Sequence, residues 1–535
     1  VHATRGCDTI ELVPSDSDRL HAVFDLAMRI GVGLLTNGSA ASEVTATVLQ
    51  VLGSSGIRDV VVQVTFDEVA LSYLPADPSK ALTQVRTAGV RGQDFARLAE
   101  YEAVTDHYIA GDLGLDDALA RVAAISRRRP YYPHLLVIMG FALMGGAAAL
   151  SFGGSFPVVL AAALASGLLI WAIDSLAKAH VPMFFAQALA GLIGVVVASL
   201  VSFVDPTQSA SIVVVACIVV ALAGLASIGA MQDAITGWYV TASARILETL
   251  MLTVGLVVGV RAGLMLADVA GRQMVISDPL PLTLGNVLVL VVAGVFMGLG
   301  YGVGTQTPTR LLVWCAAVAA MSAGAAYALG GLVQRPWAVA VAAALVGVVA
   351  VVLARWQRAP ALLFVMAGII PLVPGSRIFR GLLAMGTDMP AGAGELFGAA
   401  EIAVGIAAGA TIGQMVAARV LLVRGRVGWA YTPVIAPKFA TMRRRRITLP
   451  LRHRRRHDPE VTEPSTMTGV MTALPESLRA ELVQELGSDP TGDATTASPE
   501  RADGHPEGDT DQQDQQDQQD HRDDQPRSRT PPQES

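Results

Sequence analysis

The chain has 535 residues, of which 52% are hydrophobic and only 16% charged. Soluble chains carry about 25% charged residues, and here the charges crowd into the two ends, which excludes a wholly soluble globular protein. The net charge of −6 averages a basic cluster between Arg443 and Arg456 with an acidic, Gln-, Asp- and Pro-rich stretch after Asp489, so it says little about partners.

Residues 1–19 lack pattern and read as disordered; the first 20 contain no signal-peptide core, which predicts a cytoplasmic N-terminus. From Leu20 apolar residues fall at helical spacing through Leu35, and Asn37-Gly38 ends that helix. Ser39 is the expected N-cap of a second helix, with Glu43 in its first turn. Strands are predicted over 60–66 and 69–73 around an Asp67-Glu68 turn, and a third over 82–86, followed by helices over 93–110 and 115–127. Residues 20–130 thus form a small α+β domain.

From Leu135 to Val423 apolar runs follow one another. Ten have about the 20 residues needed to cross the hydrocarbon: 134–152, 156–174, 182–203, 210–230, 246–267, 284–304, 310–330, 336–355, 360–375 and 394–422. The fold class is therefore an α-helical polytopic membrane protein with a small N-terminal α+β domain. Basic residues set its orientation. One set of flanks and loops carries Arg127, Arg128, Arg129, Lys178, Arg245, Arg310, Arg355, Arg358, Arg424 and Arg426, against Arg272, Arg335, Arg377 and Arg380 on the other. Both termini are expected in the cytoplasm of a multi-pass cell-membrane protein. The basic cluster at Arg443–Arg456 then meets anionic headgroups rather than nucleic acid, and 426–535 is that segment plus a disordered tail.

The spans divide into two fives, 131–270 and 271–425. Gly255, Gly259 and Gly263 in the fifth span recur as Gly405, Gly409 and Gly413 in the tenth. Each triplet follows a Gly-containing elbow, 229–245 and 375–394. An odd number of spans per half inverts the second half, an architecture of secondary transporters; the alternative is chance recurrence in glycine-rich helices.

No Walker A sequence, GxSxG elbow, HExxH or metal-spaced Cys/His set is present, and Cys7, Cys217 and Cys315 are scattered. No cofactor or metal is predicted, and an ion gradient is the expected energy source. Charges inside spans cost about 2.5–3.5 kcal/mol on insertion scales and mark cavities or partners. Glu248 and Glu401 are the expected proton carriers, because desolvation raises a carboxyl pKa. Arg261 either snorkels or pairs with Asp268, while Asp174 and Glu395 lie near span ends and read as interfacial. In the elbows, Gln232, Asp233 and Thr236 are candidate polar contacts for a small amino acid, and Arg377 and Arg380 for its carboxylate. Ordinary interfacial turns are the alternative there.

Four stretches resemble one family. IGVGLLTNGSAASEV (30–44) is similar to the N-terminal helix pair of the threonine/serine exporter (ThrE) family, and QDAITGWYVTASARILET (232–249) to the elbow of its first membrane half. TPTRLLVW (307–314) and PLVPGSR (371–377) resemble its second half. The resemblance runs collinearly over residues 20–425 and looks like the fused, actinobacterial form. It implies ten spans and a secondary exporter of threonine and serine driven by the proton motive force. It assigns no site residues. The missing catalytic signatures predict no enzymatic activity, and the sequence leaves a homo-oligomer open. The residues alone leave open a carrier for another small polar metabolite. They also leave open an enzymatic N-terminal domain using His21, Asp67, Glu68, Asp106 or His107, although these lack catalytic spacing.

Overall fold

The computed structural model describes residues 16–57, 60–73, 81–89, 92–204, 210–223, 227–271, 283–385 and 388–423. Cys7, Arg272, Arg424, Arg426, the Arg443–Arg456 cluster and the acidic tail lie outside the described residues.

The N-terminal domain comprises α1 (Asp16–Thr36), α2 (Ala41–Ser54), β1 (Val60–Thr65), β2 (Glu68–Tyr73), β3 (Leu82–Thr87), α3 (Phe95–Ala110) and α4 (Leu115–Arg127). The strands form an antiparallel sheet in the order β1-β2-β3, with Val64 opposite Val69 and Ala70 opposite Val85. Strand residues alternate between faces, so Val64, Val69 and Leu71 are buried while Val61 and Val85 are exposed. The helical stripe of α1 buries Val23, Phe24, Ala27, Met28, Leu34 and Leu35 against the sheet and the other helices. Asp94 caps α3 by accepting from the Arg97 amide at 2.9 Å, and Gly111 ends that helix in the left-handed conformation. Ser39 does not cap α2 as expected: the capping position is Ala40, without a side-chain bond, and the Ser39 carbonyl is engaged elsewhere.

The membrane part runs α5 (His134–Ser151), α6 (Phe156–Lys178), α7 (Met183–Val204), α8 (Ser211–Ala223), α9 (Ser227–Ile235), α10 (Tyr239–Val269), α11 (Leu284–Gly304), α12 (Thr309–Gly330), α13 (Arg335–Gln357), α14 (Ala361–Ile369), a 3-10 turn (Ile370–Leu372), α15 (Gly375–Ala384) and α16 (Met389–Val423). Among the described residues eight helices are long and apolar enough to cross a bilayer, and the bent pair of α14 with its 3-10 turn and α15, at 45°, makes a ninth. Of the fourth expected span, 210–230, the described residues form α8 and the start of α9, and residues 224–226 lie outside them. In the ninth, Pro371 and Pro374 remove backbone donors. The elbows are shorter than expected, since α10 already begins at Tyr239 and α16 at Met389.

Small residues set how the long helices meet. The α10 glycines lie against α7, with Gly255 facing Phe184, Gly259 facing Ala188 and Gly263 facing Val195, so the two helices run parallel. In the second half Gly409 faces Ala340 and Gly413 faces Ala344, so α13 and α16 are parallel too. A Cβ at Gly259 or Gly413 would overlap a backbone carbonyl, whereas at Gly330 it would meet nothing within 4 Å. Gly259→Val and Gly413→Val should each destabilise the detergent-solubilised protein by about 1–3 kcal/mol or more, read as a lowered unfolding temperature. Gly330→Ala should leave that temperature nearly unchanged.

Candidate substrate pathway

Two features stand out along the membrane part: a charged seam against the N-terminal domain and a cavity among the membrane helices.

The seam is built on the first elbow. Asp233, near the end of α9, and Arg245, two turns into α10, are both fully buried and pair at 2.7 Å between Arg245 Nη1 and Asp233 Oδ2. A buried charge is tolerated when its remaining hydrogen-bonding capacity is met. The other Asp233 oxygen accepts from the Ala41 amide at the start of α2 (2.9 Å), and Arg245 Nη2 donates to the Ser39 carbonyl (3.2 Å). The helix N-terminus adds a favourable field for the Asp233 carboxylate. Thr241 donates to the Val64 carbonyl at 2.9 Å. The end of α11 is tied in as well: the Phe95 amide donates to the Thr305 carbonyl (3.1 Å), and the Tyr301 hydroxyl donates to Gln93 (3.1 Å). The N-terminal domain thus contacts both membrane halves.

Glu43 stands beside this pair, and Glu102 beside Glu43. Burial pushes Glu43 up to about 7; the Ser39 hydroxyl opposes the rise and the Asp233 carboxylate adds to it. Glu102 is raised well above the carboxylate range by burial, then by the Glu43 and Asp106 carboxylates.

The cavity, of about 300 Å³, lies where the start of α8, α12, the start of α13 and the second elbow meet. Its polar lining includes Ser211, Tyr327, Arg335, Ser376 and Arg380, and its apolar lining includes Ile212, Met297 and Phe379. Small-molecule sites share that mixture of apolar wall and few polar groups. Arg380 Nε is buried without a hydrogen-bond partner and lies 3.8 Å from Glu395, too far for a hydrogen bond. The cavity can therefore offer guanidinium donors to a carboxylate and hydroxyls to the rest of a small polar solute.

The expected site residues separate into groups. Asp233 lies at the seam, and Thr236 closes α9 by donating to the Gln232 and Asp233 carbonyls (2.9 and 3.2 Å). Gln232 is partly buried beside them. Arg380 lines the cavity, while Arg377 lies over Gly398 with its Nε 3.8 Å from Glu395. Arg261, expected either to snorkel or to pair with Asp268, donates to the Leu382 carbonyl on α15 at 3.4 Å and joins the two halves. Glu248 is partly buried and Glu401 exposed, on α10 and α16, and neither lines the cavity. Sequence reasoning missed Arg245, which was counted as a loop cation, together with Glu43, Arg335 and Tyr327. The available signal was an acid and a base flanking one elbow, 12 positions apart.

Two family models match the chain in order: one described as "Putative threonine/serine exporter" over residues 25–267, and one described as "Threonine/Serine exporter, ThrE" over residues 290–416. A "Probable threonine/serine exporter" of Mycobacterium tuberculosis is 30% identical over 429 residues, covering 77% of this chain and 80% of that relative. The chain belongs to the threonine/serine exporter family. The "Threonine/serine exporter" of Corynebacterium glutamicum is 28% identical over 421 residues, covering 76% of this chain and 84% of that protein. No solved structure matches. The first family match contains the whole seam except Thr305 and Tyr301, and the second contains Tyr327, Arg335 and Arg380.

Removing one partner of a buried ion pair strands the other charge. Asp233→Ala or Arg245→Ala should cost about 3–5 kcal/mol, measured as loss of thermal stability and as protease access to residues 37–44. Glu43 has a sharper signature. Its pKa at the seam lies above the ordinary 4.5, so the docked state holds the proton more tightly than the undocked one. Docking strengthens as pH falls from about 7 towards 4.5 and weakens as pH rises through 7. Amide-exchange protection over residues 37–44, corrected for the intrinsic rate at each pH, should therefore fall between about pH 5 and pH 7 and level off above that, and Glu43→Gln should flatten that dependence.

Proposed function

We propose that this chain is a secondary active exporter of threonine and serine, driven by the proton motive force. The observation that carries the reading is the cavity with Arg335 and Arg380 among the membrane helices of a chain in the exporter family. Its volume of about 300 Å³ suits a small amino acid with a few waters. Arg380 and Arg335 hold the carboxylate, and the hydroxyls of Ser211, Ser376 and Tyr327 select a hydroxylated side chain. The parallel packing of α7 with α10 and of α13 with α16 supports an inverted repeat. The third and fifth spans of each half pair in the same way, and the odd span count reverses their direction.

On this reading both termini are cytoplasmic in the cell membrane, and the N-terminal domain is the inner gate. Closed, it is held on the elbow by Asp233 and Arg245; open, it admits substrate from the cytoplasm. Proton release from Glu43 places a second negative charge beside Asp233 and loosens the seam, which couples protonation to gating. Glu248 and Glu401 remain rival proton carriers on α10 and α16.

Cells loaded with a threonine-containing dipeptide should release threonine faster with the protein than without it, and a protonophore should remove the difference. Arg380→Gln should lower this efflux about tenfold or more, the scale of one lost charge-assisted contact, with membrane insertion unchanged. Full efflux by Arg380→Gln would take the substrate out of this cavity. Protonophore-insensitive uphill efflux would remove the proton coupling. Glu248→Gln and Glu401→Gln should retain uphill transport if Glu43 carries the proton.

A further inference from the structure

A second cavity, also of about 300 Å³, lies inside the N-terminal domain between α1, β3, α3 and α4. Arg29, Arg86 and Arg97 all line it, and no carboxylate does. Thr36 and Ser126 add hydroxyls, and the Tyr101 ring, packed on the backbone of Gly33, forms part of the wall. Two acids outside the lining position the cations. Asp25 takes Arg29 Nε at 2.7 Å and Arg86 Nη2 at 2.5 Å, and Asp94 takes Arg97 Nε at 3.2 Å. Arg97 Nη2 donates to the Arg128 carbonyl at 2.7 Å. A guanidinium has five N–H donors, so each of the three retains Nη1 outside these bonds. Arg128 is itself paired with Glu100. Three cations held by two acids leave a positive excess facing an open concavity, and fixed guanidinium forks match the oxygens of carboxylate and phosphate.

We propose that this cavity binds a small oxyanion, a phosphate or a carboxylate, in the N-terminal domain. The inference rests on the lining of this cavity and stands apart from the export reading. Its location gives the occupant a route to the seam. The wall includes Thr36 and Asn37, the residues that lead directly into Ser39 and Ala41, and Asn37 Nδ2 donates to the Gly33 carbonyl at 2.7 Å. An anion drawing Arg29 and Arg97 together would stiffen the loop that contacts Asp233 and Arg245.

The test is calorimetric titration of the full chain in detergent with inorganic phosphate and, separately, with malonate. Saturable binding of either probe is expected, and the tighter one identifies the oxyanion class. Arg29→Gln, at a half-exposed position, and Ser126→Phe, which fills the cavity, should each weaken binding about tenfold or more. Arg121→Gln on the exposed face of α4 should leave it unchanged, and saturable binding should persist in Arg380→Gln, which takes a guanidinium out of the membrane cavity. Circular dichroism of both cavity variants confirms that a loss is not unfolding. The absence of saturable binding with both probes overturns the proposal, as does binding that survives either cavity variant undiminished or that is lost in Arg380→Gln.

Discussion

One ion pair organises this molecule. Asp233 and Arg245 are fully buried, and each is also bonded to the backbone at the start of α2. Desolvating two charges costs several kcal/mol apiece, and their attraction offsets this only where the remaining donors and acceptors are met. Here the N-terminal domain supplies an amide to Asp233 and a carbonyl to Arg245, while Arg245 Nε has no hydrogen-bond partner among the described residues. The elbow of the first membrane half and the loop between α1 and α2 are therefore interdependent: the ion pair is well solvated by protein only while the domain is docked. On the proposed reading, that dependence makes the domain a gate, and the neighbouring Glu43 gives the gate a titratable control.

Around this seam the membrane part is held by close backbone approach. Gly259 against Ala188 and Gly413 against Ala344 set two parallel helix pairs, while Arg261 reaches across to the Leu382 carbonyl. Lipid provides no hydrophobic drive between helices, so packing of small residues takes its place. The bend between α14 and α15 falls where Pro371 and Pro374 remove backbone donors. It places Ser376 and Arg380 on α15 around one cavity with Ser211, at the start of α8. Broken helices are acceptable at such a position because the freed backbone faces protein or a cavity rather than lipid.

Much of this was legible in the sequence. Alternation in 60–73 and 82–86 gives the three strands, and the apolar runs give most of the membrane helices, because period and length report directly on burial. The family resemblance carried by 30–44, 232–249, 307–314 and 371–377 agrees with the family matches. The cap of α2 was misread because Ser39 looks like a cap locally, whereas its carbonyl is taken by Arg245 from 206 positions away. Arg245 itself was misread as a loop cation, since charge counting does not see a buried partner. Arg335 and Tyr327 were missed because the cavity joins residues from separate spans, and spacing along one helix cannot show it.

The most direct test of the gate is to fasten it. Cysteines at Val64 and Thr241, where the Thr241 hydroxyl meets the Val64 carbonyl at 2.9 Å, would join the N-terminal domain to α10 when oxidised, in a background lacking Cys7, Cys217 and Cys315. With the bridge confirmed by mass spectrometry, the account predicts that threonine efflux from proteoliposomes stops on oxidation and returns on reduction. Undiminished efflux through a fully bridged protein would contradict it.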